Sequence, residues 1–302
     1  MLKAPVRPGV VVAGLVAVLV FDLVVGGVLG AVLGTTLFAN RNATPSASAQ
    51  RTTTGPSLTT VTIAQGQGLF EPFILAVPPN TTVTWRNNDA VAHTIVTTPD
   101  QTPFLNLHAF SFTVAAGQRA GFKLFQPGMY HYYDPNMATW NRADGRVAAK
   151  KGMPNFPLAM EGVIWVKGAI SNLPSATTNR IPPKHDDFVS EFLAITPGSV
   201  SWHNFDSDPH FVAVVPGWSA TSDPPQAQAE INPTDIGVNR IAGTDDVPGG
   251  DTIAVIFSKP GLYYYYCVNH AHIDAATHRV EAFKLASEYP IPMEGFILVS
   301  DS

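Results

Sequence analysis

The chain has 302 residues, a formal net charge of −5 and only 14% charged residues, with no basic cluster, so nothing in it points to nucleic acid. A single cysteine, Cys267, excludes any disulfide within the chain. The 26 prolines and 24 glycines, set among many Val, Thr, Phe and Tyr residues, predict short strands joined by turns rather than long helices.

In chain order, the first predicted element is apolar. Residues 10 to 39 are almost wholly apolar apart from Asp22, and Lys3 and Arg7 precede them. That run is long enough to span a bilayer, and longer than the apolar core of a cleaved signal peptide. An anchor is expected over 1–39; cleavage at the Ala-x-Ala pattern of Ala47 and Ala49 is the rival. The basic residues ahead of the span predict that the chain beyond it lies outside the cytoplasm. Residues 40 to 57, rich in Ser, Thr and Pro, read as a flexible tether.

The remainder is a repeat. Residues 127 to 166 align without a gap on 260 to 299, with 18 identities in 40 positions. Upstream, "VTWRNNDAVAHTIVTT" (83–98) aligns with "VSWHNFDSDPHFVAVV" (200–215), pairing Trp85 with Trp202 and His93 with His210. The two offsets differ by 16 residues, which places an insertion in the second copy within 216–250. The repeat implies two homologous domains, 58–168 and 186–302, joined by a linker at 169–185. "TTVTWRN" and "GSVSWHN", "GMYHYY" and "GLYYYY", and "GVIWVKG" and "GFILVSD" read as paired strands. Only 274–287, "DAATHRVEAFKLAS", has a helical look. The fold class expected is all-β: two tandem Greek-key sandwiches after an N-terminal transmembrane helix.

The second copy gathers His210, Cys267, His270 or His272, and Met293. Two imidazoles and a thiolate in a plane, with a weak axial thioether, suit copper that cycles between Cu(I) and Cu(II). In this order the stretches "DPHF", "YYYYC", "CVNHAH" and "PMEGFILV" resemble the cupredoxin, or blue-copper, family. The resemblance covers essentially everything past residue 58. It implies one type 1 copper in the second domain, held by His210, Cys267, His270 (with His272 as the alternative) and Met293. Glu294, next to Met293, is the alternative axial donor; strand alternation turns the two to opposite faces. In the first copy His93 and Met160 persist, but Asp134 replaces the cysteine and Met137 the histidine. That copy reads as a degenerate site, or as one of different chemistry.

The implied function is a membrane-tethered electron carrier serving redox partner proteins, without a catalytic residue of its own. The rival is an enzyme of the copper oxidase or nitrite reductase kind. Such enzymes need further histidines, whereas Tyr266 precedes the cysteine and Val215 stands five places after His210. Copper storage or delivery is the third reading. His203 is expected at the surface, His278 on the loop helix, and His108, His131 and His185 in structural or solvated positions. The tyrosines 263 to 266 are expected to alternate between core and surface. Arg146 and Arg279, matched across the repeat, are expected to contact a loop carbonyl or an acid.

Overall fold

The computed structural model describes residues 59–215 and 252–301. The expected anchor, the tether and the insertion at 216–250 lie outside the described residues. Those described belong to one compact unit spanning Thr53–Ser302. They are all strand, turn and loop, and among them no helix is long and apolar enough to cross a membrane.

Among the described residues each copy of the repeat builds two larger sheets and a two-stranded one, and no sheet mixes strands of the two copies. In the first, Thr60–Ile63 runs parallel to Thr81–Asn87, and Ile74–Val77 runs parallel to Glu161–Val166. In the second, Ala176–Ile181 runs parallel to Gly198–Asn204, and Phe192–Ile195 runs parallel to Glu294–Val299. The strand Gly128–Tyr133 pairs antiparallel with Glu161–Val166, as Gly261–Cys267 does with Glu294–Val299.

The core of each copy is built on the same aromatic pair. Trp85 meets Tyr132 edge-on at 5.4 Å, and Trp202 meets Tyr265 edge-on at 5.3 Å. Such contacts contribute about 0.5–1.5 kcal/mol beyond burial. The pair also explains the glycine of both Met-Glu-Gly triplets. Gly162 lies opposite Tyr132 and Gly295 opposite Tyr265, and a Cβ at Gly295 would stand 2.5 Å from the Tyr265 ring. Only a residue without a side chain lets the ring lie flat across the neighbouring strand.

A further apolar cluster joins the two copies. Phe73, Met129, Val163 and Trp165 of the first pack with Leu262, Tyr264, Phe296 and Leu298 of the second. This seam corrects one expectation. Tyr263, Tyr264 and Tyr265 are all buried, and only Tyr266 is partly exposed, because both faces of their strand are covered. Tyr264 stacks on Phe296 at 4.7 Å within the seam.

A second correction concerns 274–287, which forms no helix. Val280–Ala282 instead pairs antiparallel with Ala271–Ile273. The Asp274 carboxylate accepts the N–H groups of Ala276 and Thr277, closing a turn, and His278 takes a left-handed conformation (φ 55°) where the first copy has Gly145 (φ 65°). Strand pairing and turn chemistry therefore outweigh a modest helical propensity.

Candidate metal centre

Cys267 ends the strand Gly261–Cys267, and its N–H donates to the carbonyl of Met293 (2.9 Å). The side chain is fully buried in the core of the second copy, in the cluster that holds Met293. His210 precedes the strand Val212–Val214, whose first residue lies opposite Cys267. The result is that His210 Nδ1 stands 3.6 Å from Cys267 Sγ. His270 enters from the turn after the cysteine, where its N–H donates to the Cys267 carbonyl, and its Nδ1 lies 3.4 Å from Sγ. The two imidazole centroids are 4.6 Å apart.

His272 goes elsewhere. It is exposed on the strand Ala271–Ile273 and stacks on Phe283. Glu294 also turns away: its carboxylate accepts the Tyr264 hydroxyl in the seam, on the face opposite Met293. Of the residues singled out from sequence, His210, Cys267 and His270 thus converge, Met293 packs beside them, and His272 and Glu294 do not join them.

The donor set accommodates a metal. One donor atom from each of His210, Cys267 and His270 lies within 4.8 Å of the others. Metal–nitrogen and metal–sulfur bonds of about 2.0–2.3 Å leave donors in one plane about 3.5 Å apart, which matches the Sγ–Nδ1 separations. Burial pushes the Cys267 thiol up to about 11, so the metal-free thiol is protonated, and binding a metal would require it to lose that proton. Burial, with the neighbouring His270, lowers the pKa of His210 and keeps its ring neutral, as a ligand must be.

Carboxylates line the outer edges of both rings, and the sequence pattern did not single them out. His210 Nε2 lies 3.5 Å from Asp206, and His270 Nε2 lies 3.2 Å from Asp186. Asp206 had a signal, because it aligns with Asp89, which lies 3.3 Å from His93 Nε2. In both copies the asparagine two residues before the aspartate, Asn87 or Asn204, accepts the aspartate N–H and fixes the loop. Asp186 lies in the loop after the strand Ala176–Ile181 and has no such signal.

The corresponding place in the first copy is closed differently. His93 Nδ1 lies 2.7 Å from Asp134 Oδ2, both fully buried, and Met137 and Met160 pack in the same core. The flanking carboxylates hold the pKa of His93 up against its burial.

The two copies also share a buried charged seam. Arg146 donates to the carbonyls of Glu294 and Phe188 and pairs with Asp187 at 2.7 Å. Arg279 donates to the Ala159 carbonyl and to Glu161. Each matched arginine therefore reaches across to the other copy. Between them His131 Nε2 lies 2.9 Å from Glu161, and its Nδ1 lies 4.0 Å from Glu191. Burial lowers the pKa of His131 and raises those of Glu161 and Glu191; it pushes Glu294 to about 8 and Asp187 to about 6. Of the other histidines, His185 pairs with Glu288 on the surface, and His203 lies against Phe205.

No family model and no curated protein matches the chain. Among solved structures, it is similar to a purple cupredoxin from Nitrosopumilus maritimus, with 21% identity, a TM-score of 0.25, and coverage of 36% of this chain and 99% of that one. It is also similar to an alanine-for-methionine variant of amicyanin in the Cu(I) form, with 19% identity, a TM-score of 0.25, and coverage of 36% and 80%. An oxidised leucine-for-methionine variant of amicyanin gives 18% identity, a TM-score of 0.26, and coverage of 37% and 85%.

Proposed function

We propose that this chain is a membrane-tethered, extracytoplasmic type 1 copper protein that passes single electrons between redox partner proteins. In this reading it is built of two tandem cupredoxin-like domains, of which the second holds the copper. The observation that carries the reading is the convergence of two imidazole Nδ1 atoms on one buried thiol, at 3.6 and 3.4 Å. Copper, when bound, supplies a one-electron couple.

The chain's own residues hold that couple still. Cys267 is fixed by the strand and by its backbone bond to Met293. His210 is held by the loop that Asn204 closes. His270 is tied to the Cys267 carbonyl by a short turn. A ligand set held by a packed core changes little between oxidation states, which suits electron transfer rather than bond chemistry. Met293, packed in the same core as Cys267, would be the fourth residue to hold the metal, since Glu294 is engaged by Tyr264 on the opposite face. The apolar run at 10–39, led by Lys3 and Arg7, is the observation that supports tethering with the copper domains outside the cytoplasm.

The test is to load the full-length chain in detergent with Cu(II) and to measure copper stoichiometry and the visible spectrum. One copper per chain with an intense thiolate-to-copper charge-transfer band, abolished by Cys267→Ser, is expected. Two or more coppers with turnover of nitrite or dioxygen would replace the carrier by an enzyme. Ready exchange of copper without that band would replace it by a storage or delivery protein.

A further inference from the structure

The segment that follows the strand Ala176–Ile181 crosses the outer edges of both imidazoles. Lys184, in a left-handed conformation (φ 66°), donates its N–H to Asp206 Oδ1 at 2.9 Å, and Asp206 faces His210. Two residues on, the Asp186 carboxylate divides its oxygens. Oδ2 accepts the N–H of Ser287 (2.6 Å), while Oδ1 stands 3.2 Å from His270 Nε2. The Asp186 N–H in turn donates to the Ser287 hydroxyl (2.8 Å). Asp186 is thereby fixed at both its backbone and its side chain before it meets the imidazole.

The first copy supplies a comparison within the same molecule. There Gly66, also left-handed (φ 68°), donates its N–H to Asp89 Oδ1, the counterpart of the Lys184 contact. Two residues on stands Gly68. A Cβ at Gly68 would lie 2.9 Å from the Met137 methyl, and Met137 is the residue that aligns with His270. The scaffold thus brings the same two positions together in both copies. It fills them with glycine and methionine in one, and with aspartate and histidine in the other. The carboxylate is present only where the imidazole is present.

We infer that Asp186 is a positioning residue for the proposed copper site, on which this inference rests. Its carboxylate faces the Nε2 edge of His270, so that the proton sits on that nitrogen and the Nδ1 lone pair is directed at the copper position. A carboxylate behind a ligating histidine fixes its tautomer and orientation and strengthens it as a ligand. Asp206 lies 3.5 Å from His210 Nε2, but its counterpart Asp89 shows that this carboxylate belongs to the repeated scaffold. Asp186 is the addition specific to the second copy.

The experiment compares the parent chain with Asp186→Ala and Asp186→Asn, all full-length. Asp186→Asn keeps a side-chain oxygen for the Ser287 N–H and so separates loss of the charge from loss of the loop tie. With Cu(II) as probe, Asp186→Ala is expected to weaken binding by about 10–100-fold. Both variants are expected to shift the reduction potential upward, because a negative charge that favours Cu(II) is gone. In the metal-free chain, histidine-selective nitrogen NMR is expected to show His270 protonated on Nε2 in the parent and as a mixture of tautomers in Asp186→Ala. Binding within about twofold of the parent, with potential and tautomer unmoved, would overturn the inference and leave Asp186 as a loop tie only. If the parent binds no copper, the proposed function fails, while the metal-free tautomer comparison still decides the role of Asp186.

Discussion

His93 Nδ1 and Asp134 Oδ2 stand 2.7 Å apart at the place where the second copy sets His210 against Cys267. A direct contact between histidine and carboxylate thus occupies what is, in the other copy, a gap between imidazole and thiol. Removing the acid leaves a buried ring nitrogen without its partner. Asp134→Ala is therefore expected to cost about 1–3 kcal/mol of stability, measured by denaturant unfolding.

The same comparison predicts that the first site can be rebuilt. Asp134→Cys combined with Met137→His restores the two ligand types that copy lacks, beside His93 and Met160, which are already in place. The double variant is expected to bind one more copper per chain than the parent, counted by metal analysis. An unchanged stoichiometry would mean that more than the side chains differs between the sites.

The matched arginines are predicted to act as clamps between the copies. Arg146 is 2% exposed and Arg279 is 3% exposed, and each holds backbone carbonyls and carboxylates of the other copy. Arg146→Ala leaves Asp187 without its cation and the Glu294 and Phe188 carbonyls without their donor, and a loss of about 3–5 kcal/mol is expected in denaturant unfolding. Arg279→Ala is expected to act similarly through Glu161. The double variant is expected to lose less than the sum, because both arginines serve one charged cluster.

The seam also sets a pH dependence. Glu161, Glu191 and Glu294 have pKa values raised by burial, Glu294 to about 8, so the folded chain holds protons that the unfolded chain releases. The stability this contributes is complete below the ordinary carboxylate range and is lost as pH rises through the folded values. His131, lowered from its usual 6.5, acts in the opposite sense only below that value. Unfolding midpoints are therefore expected to fall as pH rises from the ordinary carboxylate range to about 8, most steeply above the usual histidine value, and to level off beyond. Glu191→Gln, which imitates the protonated acid, is expected to flatten the decline.

Much of the fold was legible because it was written twice. The aligned tryptophans, the tyrosine strands and the Met-Glu-Gly triplets are local patterns, and each copy verifies the other. The order His210, Cys267, His270 or His272, Met293 was legible for the same reason, as was Asp134 in the place of the thiol. The helical reading of 274–287 failed because propensity there competes with a turn that Asp274 closes and a strand pairing that no local period announces.

By itself, then, the sequence determined the strand content, the duplication and the residue types able to hold a metal, since these depend on neighbours along the chain. Only the tertiary structure decided which histidine faces the thiol. Backbone geometry after Cys267 turns His270 inward and sends His272 out onto Phe283. It likewise decided that Tyr264 is buried, that Arg146 and Arg279 cross the seam, and that Asp186 stands behind His270. Those contacts join residues more than 80 positions apart, and what fixes them is the packing of one copy against the other and of the loop after Ala176–Ile181 across His270.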